Sequence, residues 1–149
     1  MNCINLDREF YSHNPIKGCW EHHIEWCPKY RYNVLQKQSI REDCEAILYQ
    51  LCAEQEWNPL ELAVMPDQVH IVIRTVKPMN PSEIMFRLKG RSAHDLFEKH
   101  PNLRKRYPQG HLWSRGAFQR TVETDLEIAR KYVREQRDIH QKQLSEWAS

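Results

Sequence analysis

Glycine is scarce in this chain, with 4 residues among 149, and proline contributes only 8. Apolar residues make up 40% of the chain and charged residues 28%, a composition typical of globular proteins and not of fibrous or disordered ones. A chain of this length can bury a core without disulfides or a structural metal. We therefore expect one domain over residues 1–149, with its core at about residues 17–140.

Long apolar runs and paired cysteines are also missing. No stretch approaches the roughly 20 apolar residues of a membrane helix, and the N-terminal MNCINLDREF lacks the pattern of a signal peptide. The five cysteines form no C-x-x-C pair, and their odd number favours reduced thiols. These absences predict a cytoplasmic protein without a membrane partner. The sequence also has no phosphate-binding glycine loop, no Ser-His-Asp hydrolase pattern and no Cys₄ zinc pattern.

Positive charge is concentrated locally, although the formal net charge is only +2. Between residues 87 and 106, seven basic residues face only two acidic ones: Arg87, Lys89, Arg91, Lys99, Arg104, Lys105 and Arg106 against Asp95 and Glu98. Such a run is typical of a solvated surface, and it also attracts a phosphate backbone. Charge alone leaves both interpretations open.

Hydrophobic periodicity in the first half of the chain predicts a strand, a helix and a hairpin. Polar and apolar residues alternate over residues 19–27, which indicates a strand. Apolar residues recur at spacings of three and four over residues 39–57, as on the buried face of a helix. Residues 60–75 then predict two strands that are joined by a Pro-Asp turn.

The second half of the chain predicts a helix, a strand and a last helix. Asn80 is a suitable cap for a helix over about residues 80–99, and residues 111–122 have the character of a strand. A capping box at Thr124–Glu127 opens a helix that continues to about His140. The whole order predicts an α+β, ferredoxin-like (split βαβ) antiparallel sheet with helices on one face and an additional C-terminal helix.

The segment MPDQVHIVIRT, residues 65 to 75, carries an amide and an imidazole on one side of a predicted strand. Alternation places Gln68 and His70 opposite Val69, Ile71 and Ile73. One face of an antiparallel strand often meets water, and a single histidine there is more often structural than a ligand. The last helix offers a second pair, because Tyr132 and Gln136 are neighbours on one helical face, with Cβ atoms about 6 Å apart.

Five motifs in order resemble those of a known family: HHIEWCPKYRYNVL, MPDQVHIVI, LKGRSAHDLF, GHLWSRGAF and ARKYVREQ. Over about residues 17–137 the chain resembles the single-tyrosine transposases of the insertion-sequence 200/605 family, within the HUH endonuclease superfamily. The resemblance implies a ferredoxin-like homodimer that moves single-stranded DNA with hairpin ends. It also implies that each tyrosine helix serves the metal site of the partner subunit.

The resemblance assigns roles to individual residues. Tyr132 becomes the nucleophile that leaves a 5′-phosphotyrosine and a free 3′-hydroxyl, a covalent link that conserves the bond energy for rejoining. Mg²⁺ or Mn²⁺ becomes the cofactor that polarises the phosphate. The family holds this metal with a His-hydrophobic-His motif and a glutamine on the tyrosine helix. The second histidine maps to His70, the glutamine to Gln136, and the first histidine to Gln68.

Gln68 departs from the family pattern. Its carbonyl oxygen is an acceptable ligand for Mg²⁺ or Mn²⁺ but binds softer metals less well than an imidazole does. Three explanations stay open: a working oxygen-rich site, a degenerate copy that keeps DNA binding, or an engineered change. The rival functions are a catalytically impaired relative that binds hairpin DNA or RNA, and a metal-dependent nuclease that uses water instead of Tyr132.

Basic residues within the motifs are candidate DNA contacts. Arg31 lies among tyrosines in KYRY, Lys89 and Arg91 lie in LKGRS, and Arg115 follows Trp113. Cations beside aromatic faces suit single strands, where phosphates pair and bases stack. Ordinary surface charge is an equally good interpretation of each.

Four further side chains are expected to be structural or peripheral. Trp113 is expected to pack in the core, and Asp67 to stabilise the turn between the hairpin strands. Of His22 and His23, which are adjacent in the first strand, only one is expected to face the core.

Overall fold

The computed structural model describes residues 20–116, 118–121 and 126–148, which contain one antiparallel sheet of four strands. The strands are β1 (Trp20–Trp26), β2 (Asn58–Val64), β3 (Val69–Thr75) and β4 (Phe118–Thr121). Their order across the sheet is β2-β3-β1-β4, and all three neighbouring pairs are antiparallel. This is the strand arrangement of a split βαβ fold.

In the part of the chain that the structure describes, four α-helices connect and cover the strands. They are α1 (Gln38–Gln55), α2 (Pro81–Lys99), the short α3 (Leu103–Arg106) and α4 (Leu126–Ala148). Helices α1 and α2 pack on one face of the sheet, and α4 packs on the other face against β2 and β3. The predicted α+β, ferredoxin-like fold with an additional C-terminal helix is therefore confirmed. Among the described helices, no segment combines the length and apolar character that crossing a bilayer requires.

Local stereochemistry explains where the two central helices begin and end. Helix α1 stops at Gln55 because Glu56 adopts a left-handed conformation with φ 60°, so Trp57 lies beyond the helix and not within it as predicted. The Asn80 cap is confirmed, since its side-chain oxygen accepts the N–H of Ser82 at 2.9 Å. Glu83 does not complete the capping box, because its carboxylate binds Arg87 at 2.6 Å.

Two expectations about the C-terminal half need correction, and a third is not tested. The predicted strand at 111–122 is shorter, because residues 112–114 pair instead with the chain after β1 through the Lys29–Leu112 and Ser114–Cys27 backbone hydrogen bonds. The last helix continues past His140 to Ala148, since nothing in that stretch breaks a helix. The predicted cap at Thr124 lies outside the described residues.

The sheet is buried on both faces. One face carries Ile24, Ile71 and Ile73 into a large core with α1 and α2. The other face carries Ala63 and Val72 against Ala129 and Val133 of α4. Every residue of β3 except Arg74 is buried, so the face that carries His70 does not meet water. The reason is that α4 covers this face, which the alternation within one strand cannot reveal.

Two of the cysteines are packing residues of the larger core. Cys44 and Cys52 are unbridged and fully buried on α1. Burial raises the pKa of each thiol to about 12, so both are neutral at physiological pH. They behave as small apolar side chains, in agreement with the reduced state that the cysteine pattern predicts.

We predict that Val133→Ala lowers the free energy of unfolding by about 1–3 kcal/mol, because it removes two methyl groups from the contact between α4 and the sheet. Val133 has 0% of its surface exposed, whereas Ile128 on the same helix is 65% exposed. Urea denaturation provides the measurement, and Ile128→Ala is the control, with an expected change below about 0.5 kcal/mol. Equal losses in both variants would contradict the described docking of α4.

Candidate active site

Helix α4 places Tyr132 over the second face of the sheet, beside two histidines. Val133 and Ala129 are buried in the contact, and Tyr132 lies at its margin with 41% of its surface exposed. The centroid of the Tyr132 ring lies 5.8 Å from the ring of His70 and 5.8 Å from the ring of His23. The helix thus presents a solvent-accessible phenol to a buried pair of imidazoles.

The two imidazoles belong to neighbouring strands and share one carboxylate. In the register of β1 and β3, Glu25 lies opposite His70, and His23 lies on the same face of β1. Oε1 of Glu25 is 3.1 Å from Nε2 of His23 and 3.0 Å from Nδ1 of His70. Both histidines are buried. The three side chains form a compact cluster below Tyr132.

The electrostatics of this cluster favour an ionised carboxylate. Partial burial acts to raise the pKa of Glu25, but hydrogen bonds from His23 and His70 outweigh it and lower the pKa to about 2. The pKa of Tyr132 is raised, first by burial and then by the negative charge of Glu25. The protein alone therefore holds an anion near the phenol and opposes formation of the phenolate.

The donor atoms in this cluster fit a divalent metal. One ligand atom from each of His23, Glu25 and His70 lies within 4.8 Å of the other two. Adjacent ligands about 2.1 Å from an octahedral ion are roughly 3 Å apart, and the two nitrogen–oxygen separations here are 3.0 and 3.1 Å. Imidazole with carboxylate is a donor set that Mn²⁺ and related ions accept.

The other two predicted metal ligands are near Tyr132 and His70 in the sequence. Gln136 is on α4, one helical turn after Tyr132, and is partly buried. Gln68 precedes β3, which begins at Val69, and its backbone carbonyl accepts the N–H of Met65 at 2.8 Å. This hydrogen bond extends the pairing of β2 and β3 by one step, because Val64 lies opposite Val69 and Met65 therefore lies opposite Gln68. Asp67 is exposed in the same turn, as expected for a turn residue.

His23 and Glu25 are site residues that the sequence interpretation missed. Both His22 and His23 are buried, so the expectation that only one of them faces a core is wrong, because the sheet has a core on each side. His22 lies on the side of α1 and α2, where burial lowers its pKa to about 4. A usable signal was present, since His23 and Glu25 are two residues apart and hence share a face of β1.

A buried glutamate fixes the position of α4. Glu61 of β2 is 8% exposed and lies 2.9 Å from Nη2 of Arg134, 3.5 Å from Nε of Arg130 and 3.8 Å from Nη1 of Arg137. These arginines recur at spacings of four and three along one face of the helix. Their shared partner on the sheet sets the rotation and register of the helix that carries Tyr132.

The turn after β1 exposes an aromatic and basic surface. Tyr30 and Arg31 adopt left-handed conformations with φ 61° and 51°, which cost on the order of 1–3 kcal/mol each for residues with a side chain. Tyr30 is 63% exposed, its ring stacks on Tyr107 at 6.4 Å, and Nζ of Lys29 lies 5.3 Å from its centroid. The predicted DNA contact Arg31 is exposed beside it.

The other candidate DNA contacts differ in their surroundings. Nζ of Lys89 donates to the carbonyl oxygens of Ser114 at 2.6 Å and Arg115 at 3.3 Å, whereas Arg115 itself is exposed. Arg91 binds Glu54 at 2.7 and 3.1 Å and Asp95 at 2.7 Å, which ties α2 to α1. Trp113 is buried and donates to Ser92 at 2.9 Å, so its predicted core role is confirmed.

Known sequences with related patterns are transposases. The family model for IS200-like transposases matches residues 18–136. The ISDra2 transposase TnpA of Deinococcus radiodurans is 29% identical over 119 residues, which cover 79% of this chain and 84% of that protein. The transposase for insertion sequence element IS200 of Salmonella typhimurium is 28% identical over 116 residues, which cover 78% and 76% of the two chains.

Solved structures agree with the sequence comparisons. A crystal structure from Deinococcus radiodurans R1, assigned as a transposase, has a TM-score of 0.64 and 27% identity over 78% of this chain and 89% of that one. A REP-associated tyrosine transposase bound to a REP hairpin shares the fold, with a TM-score of 0.54 and 11% identity over 78% and 64% of the chains. Because the family model spans most of the chain and includes every motif of the resemblance, this protein belongs to the IS200-like transposase family.

Proposed function

We propose that this protein is a single-stranded DNA transposase that cuts and rejoins DNA through a 5′-phosphotyrosine on Tyr132. The observation that supports it best is the position of Tyr132, whose ring lies 5.8 Å from those of two buried histidines beside an ionised carboxylate. A nucleophile next to a set of metal donors is an arrangement suited to phosphodiester transfer.

The chemistry consists of two balanced transfers. The phenolic oxygen of Tyr132 attacks the scissile phosphorus as the bond to the 3′-oxygen breaks; the phenol gives up its proton, and the leaving oxygen gains one. A 3′-hydroxyl later attacks the phosphotyrosine and restores the phenol, so no external energy source is needed. In the family's pattern His70, Gln136 and Gln68 would hold Mg²⁺ or Mn²⁺, which would polarise the phosphate and offset its developing charge.

Single-stranded DNA with hairpin ends is the proposed substrate. The REP-associated relative of similar fold is bound to a REP hairpin, and the exposed Tyr30 and Arg31 offer a stacking face and a cation at the end of β1. Single strands bind through such combinations of stacking and phosphate contacts. Lys89, Arg91 and Arg115 extend the candidate contacts along α2 and the segment after it.

Gln68 favours a second candidate function. A neutral amide replaces an imidazole that the family uses as a ligand, and loss of metal affinity would leave a protein that recognises hairpin DNA or RNA without cutting it. This alternative predicts binding that weakens with salt and yields no covalent product.

We predict that Tyr132→Phe abolishes the covalent DNA adduct, with a loss on the order of 10³-fold or more, because the attacking oxygen is removed. The protein is incubated with a labelled single-stranded hairpin oligonucleotide and Mg²⁺ or Mn²⁺, and products are separated on a denaturing gel. Tyr49→Phe is the control, since Tyr49 is 40% exposed on α1. Cutting by Tyr132→Phe would identify a water-dependent nuclease, and binding without any adduct by the natural sequence would identify the impaired relative.

We propose a homodimer in which the tyrosine helices are exchanged between subunits. An exchanged α4 would meet the same Glu61 and Val72 surface on an identical partner, so the contacts that hold it within one chain can form between two. We predict that a Tyr132→Phe chain and a His70→Ala chain regain about a quarter of the natural cleavage when they are mixed in equal amounts, because about half of the dimers are then mixed and each has one complete site of two. Mixed dimers that stay inactive, although each variant folds and dimerises, would show that Tyr132 shares an active site with the His70 of its own chain.

We predict that Arg31→Ala and Arg115→Ala each lower the salt dependence of hairpin binding by about one unit of slope, because each removes a phosphate contact. Binding is measured by fluorescence anisotropy over a range of salt concentrations. Lys77→Ala is the control, because Lys77 is exposed at the end of β3 away from His70. Equal salt-dependence slopes in Arg31→Ala and Lys77→Ala would show that Arg31 does not contact a DNA phosphate.

A further inference from the structure

We infer, on the basis of the proposed function, that Glu25 and His23 are metal ligands, so that His23, Glu25 and His70 hold the ion and Gln68 is dispensable. The rings of His23 and His70 each lie 5.8 Å from the ring of Tyr132, and Glu25 lies beside both imidazoles. Its composition of two imidazoles and one carboxylate matches a set that binds divalent ions and leaves positions open for other ligands.

Strand pairing prearranges this set. Glu25 lies directly opposite His70 across β1 and β3, and His23 lies two residues before Glu25 on the same face. All three side chains therefore leave a rigid, hydrogen-bonded part of the sheet, whereas Gln68 lies one residue before β3, at the hairpin end of that strand. Ligands on paired strands lose little conformational entropy when an ion binds.

The charges on this face of the sheet also single out Glu25. Glu21 lies 3.1 Å from Nε of Arg74, and Glu61 is surrounded by three arginines. Glu25 instead meets the two imidazoles of His23 and His70, which are its neighbours at 3.1 and 3.0 Å. A divalent cation between these donors would supply the positive charge that the arginines supply to the other two glutamates.

Glu25 also explains how the metal site can tolerate Gln68 in place of the family's histidine. A carboxylate oxygen is an anionic ligand that Mg²⁺ and Mn²⁺ prefer, and it contributes more affinity than a neutral amide oxygen. The imidazole that is missing at position 68 is thus replaced by donors from β1. A chain with this replacement keeps a complete metal site although one family ligand has changed.

The test measures Mn²⁺ affinity by isothermal titration calorimetry on the full chain without DNA. We expect Glu25→Gln and His23→Asn each to weaken Mn²⁺ binding more than about 100-fold, because the loss of a ligand costs more than the roughly 10- to 100-fold that the loss of an outer-shell partner costs. Gln68→Ala and Glu21→Gln are expected to stay within about 3-fold of the natural sequence, and Glu21→Gln is the matched control because it lies on the same face of β1. Natural affinity in Glu25→Gln, or a Gln68→Ala loss as large as that of Glu25→Gln, would overturn the assignment.

A second readout separates ligands from residues that only orient His70. Pulsed electron paramagnetic resonance of bound Mn²⁺ counts coupled imidazole nitrogens, and we expect two in the natural sequence and one in His23→Asn. One coupled nitrogen in both would overturn the role of His23.

Circular dichroism checks the fold of each variant, and Glu25→Asp, which keeps the charge, is expected to retain weaker binding if Glu25→Gln does not fold. Mn²⁺ affinity in Glu25→Asp equal to that of the natural sequence would also overturn the ligand role of Glu25, because a side chain one methylene shorter keeps the charge but withdraws the carboxylate oxygen from the ion.

The outcomes for the metal site and for the proposed function are distinguishable. Natural Mn²⁺ affinity that depends on Glu25, without a covalent adduct on hairpin DNA, would support the site and contradict the cleavage function. An adduct that forms equally in the natural sequence and in Glu25→Gln, at equal Mn²⁺ affinity, would contradict the site and leave the cleavage function intact.

Discussion

The docking of helix α4 on the second face of the sheet is the contact on which the candidate active site depends. Val133 and Ala129 bury their side chains against Ala63 and Val72, and Glu61 holds the helix through its arginines. The apolar contact supplies the free energy, and the ion pairs set the rotation of the helix. That rotation brings the Tyr132 ring beside the imidazoles, and the same packing closes them off from water.

Because α4 covers this face of the sheet, the charged residues on it are partly desolvated and need partners. A carboxylate in a partly desolvated environment needs a cation or hydrogen-bond donors nearby. Glu21 has one arginine beside it, and Glu61 has three. Glu25 has two histidines instead. Glu25 also raises the pKa of Tyr132, so the anion that would favour a bound metal disfavours the phenolate in its absence. A divalent ion at Glu25 would reverse the sign of that field.

Local patterns predicted most of the fold and two members of the candidate site. Spacing identified the helices, the Asn80 cap and the β2–β3 hairpin, because these depend on neighbours within a few residues. The family motifs pointed to Tyr132 and His70, which the structure brings into ring contact. The length of β4 was overestimated, since Trp113 is drawn into the core and the chain around it pairs with Cys27 and Lys29.

The sequence by itself determined the order of elements and the family, and its motifs indicated that Tyr132 and His70 belong to one site. Periodicity and motif spacing are properties of consecutive residues, so they can be recognised without the structure. Only the tertiary structure decided that both faces of the sheet are buried and that Glu25 and His23 join His70. Alternation states which residues share a face of one strand, but not which strand lies beside it or which helix covers it. Those relations are set by strand register and by the packing of α4, which arise between residues far apart in the chain.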